Sequence, residues 1–337
     1  AGAGRPQPVY DTLIRGGSIY SVDAAPFVCD FAITGDRIVY VGTLAPGAAP
    51  RTIAARGLIV SPGFIDPHTH AGDALQSDNA VARLVLPFLT QGVTTAFIGV
   101  DGGGSPDVAK TLARSDYGIN FATYVGFGAV RSVVIGQADR APSPAELARM
   151  QDLVGQAMCQ GALGLSTGLF YAPQSFANSA EVAALARVAG AAGGIYDSHL
   201  RDESSYSIGL LGAVDEAIAI GRDARIPVHI AHIKALGVDV QGQAPKVVAR
   251  IETARAAGQI VHADQYPWSA SGTSLAAALI PRWAQDGGRE AMLGRFADPQ
   301  LAFKLRAEAA ENLRRRGGAE AILITGGPDR AVGQTLA

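Results

Sequence analysis

From residue 62 onward, the sequence alternates short apolar segments with segments of helical periodicity. The strand-like segments lie at residues 63–70, 94–99, 120–127, 161–168, 194–199, 228–232 and 260–266, and the helical patterns between them include residues 144–160, 179–192, 208–223 and 244–257. Such an alternation implies a parallel sheet. Seven strand-helix units favour an α/β fold of the TIM-like (β/α)8 barrel type over an open doubly wound sheet.

The N-terminal segment follows a different pattern. Short β segments occur at residues 12–20, 31–34, 37–42 and 58–61, and the Gly35-Asp36 pair between two of them is a tight-turn signal. We therefore predict a small β portion at residues 1–61 and a barrel domain at residues 62–337. The chain has 337 residues, 48% of them hydrophobic, which is enough for one barrel of about 250 residues with an appendage.

Charge, cysteine content and the first residues restrict partners and location. The net charge of −2 argues against nucleic acid or an anionic membrane as the main partner. No apolar run approaches the roughly 18–20 uncharged residues of a membrane span, so a soluble protein is expected. The two cysteines, Cys29 and Cys159, predict no disulfide framework. The start, Ala-Gly-Ala-Gly, is typical of signal-peptide cleavage, so a periplasmic or secreted location is one prediction and the cytoplasm the other.

The first apolar segment of the barrel ends in two histidines. Residues 63–70 read Gly-Phe-Ile-Asp-Pro-His-Thr-His, so His68 and His70 leave one face of a strand at its C-terminal end, a geometry that suits a divalent metal. Asp66 lies on the same face, where its carboxylate can orient a ligating histidine. Two ligands do not complete the four-coordinate site that zinc prefers, and the pair alone fits loop histidines without a metal equally well.

Later strands supply further candidates. His199 ends the strand at residues 194–199 and His232 ends the next. Strand alternation puts Val228, Ile230 and His232 on one face, so we predict that His232 is the ligand and that His229 points away, against a helix. His262 is predicted to be an interior residue or one that supports a ligand from behind. Four histidines at the ends of three strands predict a metal site far more specifically than any one pair does.

The chain carries five motifs in a characteristic order. They are His68-x-His70, Gly-Ala-Leu-Gly-Leu-Ser-Thr-Gly-Leu-Phe-Tyr at residues 161–171, Tyr-Asp-Ser-His-Leu-Arg at residues 196–201, Ile-Ala-His-Ile-Lys at residues 230–234, and Asp-Gln-Tyr-Pro-Trp at residues 264–268. Together they resemble the D-aminoacylase, or N-acyl-D-amino-acid deacylase, family of the amidohydrolase superfamily, from about Val9 to the last residue. The resemblance implies a metal-bearing barrel beside a small β-sandwich that takes strands from both chain ends.

The resemblance also implies roles for individual residues. His199 and His232 match the tight metal ligands, and His68 and His70 match the pair associated with a second, weaker metal, so one or two divalent ions, zinc above all, are expected. Residues that match the substrate pocket are Lys234, Tyr266, Phe170 and Tyr171. Arg201 either contacts substrate or, as we favour, shapes its loop through an ion pair with Glu203.

The sequence departs from the family pattern in two places. The motif after Gly-Val-Thr-Thr usually reaches a metal-ligating cysteine, but here Asp101 stands at that position. A carboxylate can ligate and bridge zinc as a thiolate can, so we predict that Asp101 is a ligand; the alternative is a turn-capping residue. The family's general base, an aspartate after the eighth strand, has no match: Asp298 and Asp329 lie outside the motif, and Asp264 is assigned an orienting role.

The function implied is hydrolysis of N-acyl-D-amino acids, small molecules, by a metal-bound water. The missing aspartate leaves the catalytic base unassigned and predicts that the eighth strand and the C-terminal sandwich strands are missing, so that residues 1–337 alone are not expected to form a working catalyst. Two alternatives stay open. One is another amidohydrolase activity on cyclic amides or dipeptides, although the fourth strand lacks the carboxylated lysine typical of cyclic-amide hydrolases. The other is an inert metal-binding relative.

Overall fold

A computed structural model describes residues 9–114 and 116–337. The contacts within the chain form two compact units, one that ends at Phe64 and one that spans Ile65–Ala337. The sequence-based boundary between residues 61 and 62 falls just before this division.

The N-terminal unit contains one five-stranded sheet. Its strands are β1 (Thr12–Ile19), β2 (Phe27–Thr34), β3 (Arg37–Gly42), β4 (Arg51–Ala54) and β5 (Ile59–Val60). β1 pairs antiparallel with β2 and parallel with both β4 and β5, and β2 pairs antiparallel with β3. The turn between β2 and β3 is the predicted Gly35-Asp36 pair, and Gly35 adopts a φ of 59°, which glycine reaches without steric cost. That this sheet is part of a sandwich stays a prediction.

The second unit carries parallel strands in the order of the sequence. They are β6 (Phe64–Asp66), β7 (Val93–Ile98), β8 (Asn120–Thr123), β9 (Val125–Gly126), β10 (Gly164–Gly168), β11 (Ile195–His199), β12 (Val228–Ile230) and β13 (Val261–Ala263). β6, β7 and β8 form one sheet and β9 to β13 form a second. Within each sheet, strands that follow each other in the sequence lie side by side. β8 and β9 are separated by Tyr124 alone, so the two sheets follow each other along the chain at the third predicted strand.

Helices lie between these strands, and the last three helices follow β13. They are α1 (Gly72–Leu75), α2 (Ala80–Arg83), α3 (Leu86–Leu89), α4 (Val108–Leu112), α5 (Phe127–Val134), α6 (Pro144–Cys159), α7 (Ser179–Ala191), α8 (Gly209–Ala224), α9 (Ala244–Ala256), α10 (Leu275–Leu279), α11 (Gly288–Ala297) and α12 (Ala302–Arg315). Four predicted helices, now α6 to α9, are confirmed to within one residue at each end. α6 begins where sequence chemistry requires it, because Ser143 and Glu146 form a reciprocal capping box and Pro144 opens the first turn.

The main core lies between these helices and the second sheet. It contains Met150 of α6, Leu185 of α7, Val214 of α8 and Val228 of β12, all buried. β10 is buried along its whole length, as expected for a strand in the middle of a parallel sheet that helices cover. Across the described residues, no helix combines the length and the apolar character needed to cross a membrane.

Candidate metal centre

One carboxylate lies among four histidines in the second unit. Asp101 Oδ1 is 3.3 Å from His68 Nε2, 3.4 Å from His199 Nδ1 and 3.9 Å from His232 Nε2, and Asp101 Oδ2 is 3.4 Å from His70 Nε2. The five side chains form two groups of three that share Asp101, and within each group the potential ligand atoms lie within 4.8 Å of one another. The five sequence-predicted metal ligands are therefore brought together.

The ends of the strands bring these residues together. His68 lies two residues beyond β6, Asp101 three residues beyond β7, His199 is the last residue of β11, and His232 lies two residues beyond β12. Within each parallel sheet all such ends lie on the same side, where ligands bind in α/β folds. Residues far apart in sequence therefore meet at one place.

His232 reaches the centre by a different route from the one predicted. The expectation that Val228, Ile230 and His232 share a face is wrong, because β12 ends at Ile230 and His232 adopts a φ of 35°. Val228 instead packs on α8, where a side chain at Gly221 would collide with it. His229 therefore faces away from that helix, and its Nε2 lies 2.7 Å from Asp264 Oδ2. The left-handed turn, not strand alternation, directs His232 to Asp101.

The loop that carries Asp101 is held tightly in place. Asp101 has a φ of 55°, which aspartate tolerates better than most residues. Its carbonyl accepts a hydrogen bond of 2.8 Å from Gln174 Nε2, and Gln174 Oε1 accepts one of 2.8 Å from Gly168 N of β10. A Cβ at Gly102 would lie 2.0 Å from Gln174 Oε1, and one at Gly104 would lie 2.1 Å from the Tyr124 carbonyl oxygen. The Gly-Gly-Gly sequence thus permits a close approach that fixes the Asp101 backbone.

Several polar atoms of the centre are buried without a hydrogen-bond partner among the described residues. They include His68 Nε2, Asp101 Oδ1 and His199 Nδ1. Unpaired buried polar atoms are costly, and lone pairs of nitrogen and carboxylate oxygen that converge in this way are the donor set of a zinc ion. The residues present therefore fit a metal.

The centre perturbs the pKa values of its own groups. Burial opposes the charge on His68, but its close contacts with the carboxylates of Asp101 and Asp197 prevail and raise the pKa of His68 to about 10. Burial likewise opposes the charge on Asp101, yet the nearby imidazoles of His199, His232 and His68 hold the pKa of Asp101 well below its usual range. Asp101 is therefore ionised, as a metal ligand must be.

Asp197, which the sequence analysis missed, orients His68. It is fully buried, and its two carboxylate oxygens each lie 3.2 Å from His68 Nδ1, on the opposite side of the ring from Nε2. A carboxylate of this kind typically fixes the tautomer of a ligating histidine. Asp66, which was predicted to do this, instead accepts a hydrogen bond of 3.3 Å from the His68 backbone amide. Asp197 lies two residues before His199 on β11, and this position was the sequence signal that could have identified it.

His232 is supported from two sides. Its backbone amide donates to Asp264 Oδ1, and its Nδ1 lies 3.1 Å from Glu203 Oε1. Lys234 Nζ donates a hydrogen bond of 2.6 Å to the same Glu203 oxygen. Burial would raise the pKa of Glu203, but the charge of His199, the bond with His232 and the charge of Lys234 lower it to about 2. Glu203 was missed as a site residue because its contacts come from another strand.

Arg201 does not pair with Glu203 as predicted. Its Nε donates to Glu216 Oε2 at 2.8 Å and its Nη2 to Glu216 Oε1 at 2.9 Å, so the ion pair ties the loop after β11 to α8. Nη1 donates to the Ser175 carbonyl at 3.2 Å. All these contacts are structural, in line with the favoured role for Arg201. His262 also differs from its prediction: it is exposed, because β13 is the outer strand of its sheet in the described residues.

Aromatic side chains border the histidines. The ring centroid of Tyr171 lies 4.8 Å and that of Phe170 6.1 Å from that of His199, while Tyr266 lies 6.5 Å from His232. The predicted pocket residues are thus adjacent to the candidate ligands.

Comparisons with known proteins show what the chain is similar to. No family model matches the chain. The chain is 34% identical over 295 residues to the D-aminoacylase of Alcaligenes xylosoxydans xylosoxydans, and this match covers 79% of the chain and 59% of that protein. It is 31% identical over 335 residues to the N-acyl-D-aspartate deacylase of the same organism, and this match covers 89% of the chain and 66% of that protein. The chain therefore spans about three fifths to two thirds of the length of these relatives.

Solved structures give the same result. A D-aminoacylase described for its binuclear metal centre superimposes with a TM-score of 0.72 at 32% identity, over 80% of this chain and 62% of that one. The N-acyl-D-glutamate deacylase of Bordetella bronchiseptica, in complex with zinc and a phosphonate inhibitor, gives a TM-score of 0.70 at 30% identity, over 77% of this chain and 59% of that one. A D-hydantoinase, at 17% identity and a TM-score of 0.53, shares the fold. The chain thus belongs to the D-aminoacylase, or N-acyl-D-amino-acid deacylase, family of the amidohydrolase superfamily.

Proposed function

We propose that the protein is a metal-dependent hydrolase that cleaves the amide bond of N-acyl-D-amino acids and releases a carboxylic acid and a D-amino acid. The observation that carries this proposal is the contact of one carboxylate, Asp101, with nitrogens of four histidines at adjoining strand ends. The named activities of the D-aminoacylase and deacylase relatives support the reaction class.

Zinc is the proposed metal, as one or two ions. His199, His232 and Asp101 would hold one ion, and His68, His70 and Asp101 a second, so that Asp101 takes the position of the family's cysteine. Zinc bound there would lower the pKa of a water and polarise the scissile carbonyl. The zinc complex of the related glutamate deacylase and the binuclear centre of the related D-aminoacylase support this assignment.

The neighbouring residues would bind the substrate. Lys234 would attract the free carboxylate of the N-acyl amino acid and Tyr266 would donate a hydrogen bond to it; Lys234 Nζ lies 5.5 Å from the centroid of the Tyr266 ring. Phe170 and Tyr171 would form an apolar wall beside His199. We assign Arg201 to the support of this wall, because Glu216 occupies its guanidinium.

We also propose how the strands of the two units are arranged. The parallel strands from β6 to β13 would be seven strands of one (β/α)8 barrel, with β8 and β9 as a single interrupted strand, and the N-terminal sheet would be part of a small β-sandwich. Support comes from the consecutive strand order and from the fold shared with the relatives. The residue that transfers protons during hydrolysis is left unassigned.

Metal analysis combined with a substrate comparison tests the function. We expect the purified protein to contain up to two zinc ions per chain and to hydrolyse N-acetyl-D-methionine but not hydantoin. Hydantoin opening would indicate a cyclic-amide hydrolase instead. Bound zinc without turnover of either compound would indicate an inert metal-binding relative, and a protein that binds no divalent ion would refute the metal centre itself.

A further inference from the structure

The two groups that share Asp101 come from different sheets of the second unit. His68 and His70 follow β6, in the sheet of β6 to β8, whereas His199 and His232 lie at the ends of strands in the sheet of β9 to β13. Asp101 follows β7 and therefore belongs to the first sheet. To contact histidines of both sheets, its carboxylate has to be held at a fixed place beside the second sheet.

The backbone at Asp101 has a conformation that needs support. Asp101 has a φ of 55° and Gly102 a φ of 72°, so two consecutive residues are left-handed. Aspartate tolerates this region better than most residues, but it remains a minority conformation for any residue with a Cβ. An aspartate side chain is short, so the position of its carboxylate follows closely from its backbone. Contacts with other parts of the fold therefore have to hold this turn.

Ser166 of β10 holds the turn from the second sheet. Its side chain is fully buried. Its Oγ donates a hydrogen bond of 2.5 Å to the Gly99 carbonyl and accepts one of 3.1 Å from the Gly102 amide. Because a hydroxyl is both a donor and an acceptor, this one group joins the backbone before Asp101 to the backbone after it.

Gln174 holds Asp101 itself from the same side. It is buried in the 3-10 turn Gln174–Phe176, which follows β10, and its amide group connects the Asp101 carbonyl to the amide of Gly168, the last residue of β10. Gly168 lies opposite His199 in the register of β10 and β11. One side chain thus connects the Asp101 backbone to the strand pair that carries a candidate ligand.

We propose that Ser166 and Gln174 are positioning residues that keep Asp101 a ligand common to both metal groups. Among the described residues, neither belongs to a metal group, so both would act through the backbone of residues 99–102. β10, the fourth predicted strand, would then contribute to the centre by fixing the shared ligand instead of supplying one. This inference rests on the proposed metal centre but not on the identity of the substrate.

Titration with cobalt(II), a paramagnetic ion that can replace zinc, tests for a shared ligand. Metal-free protein is titrated with cobalt chloride and followed by calorimetry and by electron paramagnetic resonance. Two ions that share Asp101 should be magnetically coupled, so the wild-type spectrum at two equivalents should differ from twice the spectrum at one. Ser166→Ala and Gln174→Met should each retain the first ion, lower affinity for the second by about 10- to 100-fold and remove the coupling.

Two control variants remove comparable groups elsewhere. Ser198→Ala removes a buried hydroxyl from β11 that lies 3.4 Å from Tyr196 Oη. Gln151→Met removes a hydrogen bond of 3.3 Å from a side-chain amide of α6 to the Ala184 carbonyl of α7. Both should lower the thermal unfolding temperature and keep the coupled spectrum. Loss of coupling in the controls as well, at a similar loss of stability, would reduce the effect to general packing and overturn the proposal.

The outcomes separate this proposal from the proposed function. Coupling that is lost in Ser166→Ala and Gln174→Met, in a protein that hydrolyses no N-acyl-D-amino acid, would support the positioning role and overturn the proposed function. Uncoupled ions in the wild type, or wild-type coupling and affinity in both variants of an active protein, would overturn the positioning role alone. Should both variants fail to fold, hydrogen exchange at the Gly102 amide of the metal-free wild type replaces them. Slow exchange is expected, and exchange as fast as in an unstructured peptide would overturn the proposal.

Discussion

The two groups that share Asp101 differ in how the fold encloses them. In the first group His199 and His232 are 7% and 12% exposed, and in the second His70 is 75% exposed although His68 is buried. His232 is also held through its backbone and its ring, whereas the contacts recorded for the His70 ring are Asp101 and the edge of the His68 ring, at a centroid distance of 6.0 Å. Preorganised, shielded ligands bind a metal more tightly than a mobile exposed one. We infer that the first group is the tighter site and the second the weaker.

The largest effect is expected from Asp101, because both groups depend on it. Asp101→Asn keeps the size but loses the charge, so it should lower zinc content from two ions towards none and reduce activity by at least about 100-fold. Asp101→Cys, which restores the family's usual ligand, should retain metal. Plasma mass spectrometry of dialysed protein measures the stoichiometry, with Asp152→Asn, an exposed surface position, as the control. Full metal content in Asp101→Asn would reduce Asp101 to a turn residue.

The second prediction separates the two groups. His199→Ala should remove the tighter ion and abolish hydrolysis, because no neighbouring side chain among the described residues replaces a buried imidazole there. His70→Ala should remove only the weaker ion and leave the tighter one in place. His262→Ala, at an exposed position away from the centre, serves as the control. Equal metal loss in the His199 and His70 variants would show that exposure does not order the two groups.

The third prediction concerns Asp197. Asp197→Asn keeps the shape but weakens the hold on His68 Nδ1, so affinity for the weaker ion should fall by about 10- to 100-fold. The affinity of the group that contains His199 should change far less. Competition with a chromophoric chelator measures both constants, and circular dichroism confirms the fold. A fall confined to the tighter ion would contradict the assignment of Asp197 to His68.

The fourth prediction is a pH dependence. Because the pKa of His68 is raised to about 10 in the metal-free protein, His68 carries a proton at neutral pH that an ion bound at Nε2 must displace. Affinity for the weaker ion should therefore rise with pH, by up to about tenfold per unit, until His68 is deprotonated in the protein that already holds the tighter ion. Calorimetry in buffers of different ionisation enthalpy should detect the released proton. Binding of the second ion without proton release would be inconsistent with this account.

The smallest effect is expected for His229. Its ring holds Asp264, which binds the His232 amide, but His229 itself contacts no candidate ligand side chain in the described structure. His229→Ala should therefore preserve metal stoichiometry and lower affinity for the tighter ion by less than about tenfold. A variant that loses the ion would make His229 a ligand, and would show that the turn at His232 is placed incorrectly.

Much of this architecture could be predicted from the sequence, because hydrophobic periodicity determines where helices and strands lie. The helices α6 to α9 and the placement of His68, His199 and His232 at strand ends follow from local pattern, whereas Asp101 was singled out through the resemblance to the family. The face of β12 could not be predicted, since alternation holds only inside a strand and β12 is three residues long.

The supporting residues were harder to predict for a related reason. Gln174 contacts Asp101, which lies 73 residues away along the chain, and Glu216 contacts Arg201, which lies 15 residues away. No local sequence pattern predicts such partners. Tertiary contacts, not propensity, assign these roles.

Anomalous X-ray diffraction at the zinc edge tests the central claim most directly, that Asp101 is shared by two unequal metal groups. Crystals prepared with one equivalent of zinc should show a single peak among Asp101, His199 and His232, and excess zinc should add a second peak beside His68 and His70. A first peak at His68 and His70, or a zinc ion that does not contact Asp101, would contradict the account.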